Sequence, residues 1–413
     1  MKFKSYFLAV LSFALFALSC DKSDGPQPSP SGLQFSCADS PTTCELTSAN
    51  GLFAIDVFKK INADEPDGNI FISPFSISTA LAMTANGAVG QTSDEMRNTL
   101  RINDMDMPSV NGSYQQLLDV LPALDPATKL KLANSIWPKI GYPVLESFLS
   151  TNTEYFNSEV LPVDFTDPAT LGLVNGWIEE NTDGLIKDAL VELPPDVVML
   201  LINAIYFKGS WQTEFNPEDT HRADFYTADG TVQVDMMHLE EQAFPYFENG
   251  LFQAIDLPYG DSIFSMSIFL PKEGHQVSEV IDELNGENWD TWTNSFAPEN
   301  VQLFMPKFKM EYGIKMRETL SALGMPTAFT TAADFSKMID GGGVMIDNVI
   351  HKAFIEVDEE GSEAGAVTVV VIIETSIPLI PTVNVNRPFL FVIRDNQTNS
   401  ILFMGKMMDP EGG

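Results

Sequence analysis

The side chains best suited to metal binding or nucleophilic catalysis are sparse in this chain. Its four histidines, His221, His238, His275 and His351, are widely separated, and none has a second ligand at metal-binding spacing. The three cysteines, Cys20, Cys37 and Cys44, all lie near the amino terminus, and two of them alone cannot close a zinc site. There is no Gly-x-Ser-x-Gly elbow, no His-Glu-x-x-His pair and no Walker loop. Gly341-Gly342-Gly343 lacks the strand–helix context of a nucleotide loop. The residues therefore predict a protein that is not an enzyme and holds no metal and no cofactor. The stretch that stands out is Glu359-Glu360-Gly361-Ser362-Glu363-Ala364-Gly365-Ala366-Val367-Thr368, which continues through Val369 to Ile373 and then Glu374-Thr375-Ser376. It starts with acids and small side chains and becomes β-branched, a composition that favours extended backbone. In a strand, Ser362, Ala364, Ala366, Thr368, Val370 and Ile372 share one face. That compact face is able to slide between strands that are already packed. A plain buried core strand has the same composition.

The elements around this stretch can be read from pattern. With 44% hydrophobic and 19% charged residues over 413 positions, the chain is globular and long enough to bury a large core. Leu52, Phe53, Ile55, Val57, Phe58 and Ile61 predict an amphipathic helix from about Ser48, stopped near Pro66-Asp67-Gly68. Pro74 suits the first turn of a second helix, whose small residues Ser76, Ala80, Ala82 and Ala85 allow close packing. Buried hydroxyls at Ser73 and Ser76 need hydrogen-bond partners. Leu201 to Trp211 alternates apolar residues and predicts a core strand. The formal net charge of −34, with only 23 basic residues, argues against nucleic acid and against anionic lipid surfaces.

Residues 1–19 carry a basic start and a short apolar run, the pattern of a signal peptide. Ser19-Cys20 is similar to a bacterial lipoprotein cleavage box, with Ala17 where leucine is usual. The expectation is cleavage before Cys20 and lipid attachment on it; an ordinary signal peptide with an incidental cysteine is the alternative. Residues 20–47, rich in Pro, Ser, Asp and Gly, are expected to form a flexible tether before a domain at 48–413. In an exported protein Cys37 and Cys44 can close a small disulfide loop or remain as two thiols. The predicted location is the bacterial envelope, periplasmic or surface-exposed, or the extracellular space. Any membrane contact is expected through the lipid alone.

A series of motifs in order resembles the serpins. Asn69 to Met83 looks like their second helix, and Leu132-Ala133-Asn134-Ser135-Ile136-Trp137 like a strand at one edge of the central sheet. Asn175-Gly176-Trp177-Ile178 with Asn181-Thr182-Asp183-Gly184 looks like the helix covering that sheet and the turn after it. Asn203-Ala204-Ile205-Tyr206-Phe207-Lys208-Gly209-Ser210-Trp211, Leu257-Pro258-Tyr259, Met305-Pro306-Lys307-Phe308 and His351 to Val357 follow in register. Asn386-Arg387-Pro388-Phe389 and Leu402-Phe403-Met404-Gly405-Lys406 complete the series, so the likeness runs from about Ala49 to Pro410.

The resemblance implies an α+β serpin fold of three β-sheets and eight or nine helices with an exposed reactive-centre loop. It makes Glu359 to Thr368 the hinge and the following residues a protease bait. Counting forward as family members do places the reactive bond at Thr375–Ser376, with Glu374–Thr375 the alternative. The first bond suits elastase-like or subtilisin-like serine proteases, the second a glutamate-specific one, and a cysteine protease is a further candidate partner. By the same carry-over Ser73, Ser76, Asn203 and His351 form a polar cluster beneath the sheet, and Trp211 marks the top, where insertion begins. No bulky residue stands on the compact hinge face and no proline occurs between Glu359 and Ile377, so the chain is expected to be an inhibitor. A monomer is expected. A non-inhibitory carrier or surface protein of the same fold is the alternative.

Overall fold

The computed structural model describes residues 36–194, 196–362 and 380–412. Its nine described helices are α1 Pro41–Asp64, α2 Pro74–Ala85, α3 Gly90–Thr99, α4 Met107–Val120, α5 Glu146–Phe156, α6 Ala169–Asn181, α7 Val277–Glu283, α8 Gly286–Asn294 and α9 Arg317–Ala322. The strands are β1 Ile70–Ile72, β2 Thr128–Pro138, β3 Glu159–Val160, β4 Met199–Ser210, β5 His221–Thr227, β6 Gly230–Glu248, β7 Phe252–Pro258 and β8 Phe264–Pro271. They continue with β9 Ala297–Pro306, β10 Phe308–Lys315, β11 Ile350–Val357, β12 Gly361–Ser362, β13 Thr382–Asn384, β14 Phe389–Asp395 and β15 Ile401–Met407.

The first helix starts at Pro41, earlier than the sequence pattern indicated. Residues 41–47 therefore belong to the folded body and not to a tether. Pro41 supplies a pre-set helical φ at the first turn, and Thr43, Leu46 and Thr47 are buried. Gln116 on α4 clasps this end: its amide Nε2 donates to Ser40 Oγ (2.7 Å), and its Oε1 accepts from Thr43 Oγ1 (2.6 Å). Cys37 and Cys44 are joined by a disulfide across the helix start.

Nine strands form one large sheet, ordered β1-β15-β14-β8-β7-β6-β9-β13, with β5 paired to β6. Every residue of β8, β14 and β15 is buried, which explains their continuous apolar runs. A second sheet runs β12-β4-β2-β3, and β10 and β11 form a separate antiparallel pair. β2 is therefore not an edge strand: β4 lies along one side and the short β3 along the other.

No ladder joins β4 to β11 among the described residues. Instead a narrow cleft lies between them, lined by Ile205 and Phe207 on one bank and Phe354 and Ile355 on the other. At its top, β12 pairs antiparallel with the end of β4, Gly361 opposite Ser210 and Ser362 opposite Gly209. Alternation on β4 sends Ile205 and Phe207 toward the main core and Ala204, Ile202 and Leu200 toward α6. There α6 packs through Val174 and Trp177, the latter edge-on to Trp137 at 6.4 Å.

Candidate functional site

The top of the cleft is built from the chain that leaves β11. Asp358 turns it: its Oδ1 accepts the backbone N–H groups of Glu360 (3.0 Å) and Gly361 (3.2 Å), and its own N–H donates to the Gly361 carbonyl (3.0 Å). The turn is then bonded to the segment after β4. Trp211 N–H donates to the Glu360 carbonyl (3.0 Å), Phe215 N–H to that of Glu359 (2.9 Å), and Trp211 Nε1 to that of Asp358 (3.0 Å). Gly361 sits at φ 146°, and a Cβ there would lie 2.2 Å from the Gly209 carbonyl oxygen. Only glycine can bring the two backbones this close.

Below the turn, Ser362 Oγ and the Tyr259 hydroxyl are 2.9 Å apart. Tyr259 stacks on Trp211 with centroids at 4.5 Å, so one aromatic pair supports both the turn and the first inward-facing hydroxyl. Burial raises the Tyr259 pKa far above its usual range, so the phenol keeps its proton. Glu359 closes the side: Oε1 accepts from Thr220 Oγ1 (2.8 Å), and Oε2 from Lys307 Nζ (2.6 Å). Burial works to raise the Glu359 pKa, but the bonds from Lys307 and Thr220 outweigh it and leave it below the ordinary value. Lys307, similarly opposed by burial, ends above its ordinary value through Glu359.

The residues of the expected polar cluster fall into two groups. Ser73 caps α2, accepting from Ser76 N–H (3.2 Å) and donating its hydroxyl to the Leu402 carbonyl (2.7 Å). Its own N–H donates to His351 Nε2 on β11 (3.0 Å). Ser73, Ser76 and His351 thus come together, with Ser76 buried on the same helical turn. Asn203 does not join them. Its Nδ2 donates to Asn134 Oδ1 on β2 (2.7 Å), and Asn134 Nδ2 donates to the Phe156 carbonyl (2.7 Å). Asn203 Oδ1 is buried and has no partner among the described residues. Asn203 stands on β4 and His351 on β11, two strands that no ladder joins among the described residues.

Burial pushes the His351 pKa down from 6.5 to about 4, and the ring must be neutral at Nε2 to accept from Ser73. The unfolded chain then takes up a proton that the folded one refuses. His351 contributes stability that is complete above about pH 6.5 and is lost as pH falls toward 4, of order 3 kcal/mol in all. Urea midpoints measured across this window should fall less steeply for His351→Gln than for the parent. Parallel acid slopes would assign the effect to other groups.

Tyr259, Asp358, Lys307, Thr220 and Asn134 were not singled out by the sequence. Tyr259, Lys307 and Asn134 do lie within stretches in register with the family, but spacing alone does not say what they touch. Thr375 and Ser376, the alternative Glu374, hinge residues Glu363 to Thr368, and Cys20 lie outside the described residues.

A sequence profile described as Serpin (serine protease inhibitor) matches residues 48–410. An uncharacterised serpin-like protein of Thermococcus kodakarensis is 36% identical over 375 residues, covering 89% of this chain and 86% of that one. The leukocyte elastase inhibitor of Sus scrofa is 32% identical over 381 residues, 89% of this chain and all of that one (100%). Among solved structures, the thermophilic serpin tengpin in its native state superposes with a TM-score of 0.79 at 35% identity, covering 88% and 94% of the two chains. Human thyroxine-binding globulin, complexed with thyroxine, gives 0.82 at 29% identity, covering 89% and 99%. With the profile and a relative each covering most of the chain, the conclusion is plain: this protein belongs to the serpin family.

Proposed function

We propose that this protein inhibits serine proteases as a suicide substrate, by inserting its cleaved loop between β4 and β11. The observation that carries the reading is β12: the hinge has already begun an antiparallel ladder on β4, directly above a cleft that lacks a strand. Continuing that register one residue at a time sets Ala364 opposite Phe207, Ala366 opposite Ile205 and Thr368 opposite Asn203, all on the core side. The Thr368 hydroxyl then reaches the side of the strand that carries the unpartnered Asn203 Oδ1. The reaction begins when the protease serine attacks the Thr375 carbonyl. The bond to Ser376 breaks, its nitrogen takes the proton handed over by the protease histidine, and an acyl-enzyme ester remains. Freed at one end, residues 361–375 enter as a strand on the order of 50 Å long at ~3.3 Å per residue, carrying the tethered protease with them. Added ladder bonds and the burial of the Val/Ile face drive the step, and distortion of the protease oxyanion hole stalls deacylation.

Elastase-like or subtilisin-like enzymes are the proposed targets if the cut falls at Thr375–Ser376, and glutamate-specific ones if it falls at Glu374–Thr375. Export with a lipid on Cys20 is proposed on the residue 1–20 pattern. The Cys37–Cys44 disulfide agrees with an oxidising compartment, and no described helix is long and apolar enough to cross a membrane. A second reading, a non-inhibitory carrier, is favoured by one observation, the close superposition on thyroxine-binding globulin.

Mixing the purified protein with an elastase-like protease separates the readings. A complex that survives denaturing electrophoresis, with a released peptide starting at Ser376, is the expected result. A peptide starting at Thr375 keeps the mechanism and moves the specificity to glutamate. Cutting by several serine proteases with no complex would leave the carrier as the better reading.

A further inference from the structure

We infer that the Cys37–Cys44 disulfide is a reversible thiol–disulfide exchange site, opened by a dithiol, and that it latches the start of α1 onto α4. The cysteines it joins are seven residues apart in the chain, with their Cα atoms at 5.6 Å. Both bonds of the Gln116 clasp end inside the loop that it closes: Nε2 donates to Ser40 Oγ, and Oε1 accepts from Thr43 Oγ1. Just beyond the loop, Thr47 Oγ1 and Ser48 Oγ both donate to the Cys44 carbonyl (3.0 Å each). Leu46 and Thr47 are buried beside them. One covalent bond thus fixes the segment that α4 grips.

Without that bond the start of α1 has little of its own to hold it. Ser40 stands at the N-cap, but its hydroxyl accepts from Gln116 and makes no capping bond, and the first turn carries no acid. Thr42 and Thr43 are β-branched, with low helix propensity. Three backbone bonds remain there. The Ser36 carbonyl accepts from the N–H groups of Asp39 (3.1 Å) and Ser40 (3.0 Å), and the Ser40 carbonyl from Cys44 N–H (3.1 Å). Asp39, Pro41 and Thr42 around them are exposed, so water competes for these bonds.

The two sulfurs differ in a way that sets the course of exchange. Cys37 is exposed and Cys44 half-buried, so an incoming thiolate reaches the Cys37 sulfur first. The bond between the cysteines breaks as the new one forms, and Cys44 leaves as a thiolate near the amino end of α1, where the helix dipole favours negative charge. Only seven residues away, that thiolate meets the mixed disulfide at a roughly millimolar effective concentration and expels a monothiol. A dithiol escapes this return. Its second sulfur attacks the mixed disulfide and releases Cys37, so its electron pair and both thiol protons end on the two cysteines and it leaves as a disulfide. Exposed Asp39 and Glu45, and the net charge of −34, oppose the approach of an anionic reagent, so the dithiol that fits is uncharged.

The experiment holds the full-length protein under native conditions with dithiothreitol or, at equal thiol concentration, 2-mercaptoethanol, and maps alkylated Cys37 and Cys44 by peptide mass. Dithiothreitol should open the bond at least about ten-fold more fully than the monothiol, and 2-hydroxyethyl disulfide should restore it. Hydrogen exchange is followed in the same samples. On opening, the amides of Thr43 to Asn50 should exchange about ten-fold faster or more, and those of α4 around Gln116 should follow. Cys37→Ser/Cys44→Ser should exchange at the opened rate with or without dithiol; should that pair fail to fold, the parent with and without dithiothreitol carries the comparison. In Gln116→Ala, which lacks the clasp, opening should no longer change exchange in α4. A bond that dithiothreitol reaches only when the protein unfolds would overturn the exchange site, and equal opening by the two reagents would overturn its choice of a dithiol. Opening that leaves exchange in α4 unchanged would overturn the latch.

Discussion

Replacing Ser362 by arginine is expected to turn the protein from an inhibitor into an ordinary substrate. Ser362 is buried, its hydroxyl meets that of Tyr259, and its backbone already occupies the first rung beside β4. A guanidinium at this position points into the core between Tyr259 and the cleft, where no carboxylate is available to it among the bonded partners of Tyr259 and Ser362. Burying an unpaired charge costs several kcal/mol, more than the added ladder bonds of the first rungs return. The strand should stall at its start. Deacylation, which needs no insertion, then wins. Covalent complex should fall by about a hundred-fold or more, since each 1.36 kcal/mol is a factor of ten, while the loop is still cut at the same bond. Ser362→Thr, which keeps a hydroxyl and a small volume, should retain inhibition. A Ser362→Arg protein that still traps protease at the parental ratio would show that the first rung is not part of the inhibitory step.

The second large effect is expected from Glu359→Lys. Glu359 is 8% exposed and links Lys307 and Thr220, and its carbonyl accepts from Phe215 N–H. Reversal sets two ammonium groups face to face at the mouth of the cleft and removes the Thr220 bond. Breaking one partner of a buried pair costs about 3–5 kcal/mol. Lys307 is 38% exposed, so solvent screening reduces the expected loss to about 1–3 kcal/mol. The consequence should exceed the number, because the loss falls where the turn is fastened to Trp211 and Phe215. A loosened turn leaves the β4 edge open to strands from other molecules, so the variant should form chains at lower concentrations than the parent. Size-exclusion profiles and thermal midpoints of Glu359→Lys, Lys307→Glu and the double exchange form the cycle. The exchange should recover part of the loss. A double variant as unstable as the sum of the singles would remove the ion pair from the account.

Much of the fold was legible in the chain. The second helix opening at Pro74 and the core strand through Ala204 to Phe207 follow from local pattern, which reports burial directly, whereas the α+β class came from the likeness to the serpins. The start of α1 was not legible. The Pro/Ser/Asp-rich segment resembles a tether, and what makes residues 41–47 helical is the Gln116 clasp from α4, a contact between residues 73 and 76 positions apart. The position of β2 within its sheet was likewise hidden, since the two-residue β3 beside it is too short to leave a pattern.

The site divides in the same way. Residue type and alternation along Glu359 to Thr368 were enough to mark a segment with a compact face, and the need of Ser73 for a partner followed from its burial. These are properties of neighbours in the chain. That Asn203 faces Asn134 and not His351, and that Lys307 closes on Glu359, are properties of distance in space. Hydrogen bonds and ion pairs act only over a few ångströms, and no spacing in the sequence encodes which strands stand that close. The amino acids determined a segment able to become a strand. Only the tertiary structure parts β4 from β11 and leaves the cleft that the proposed strand would fill.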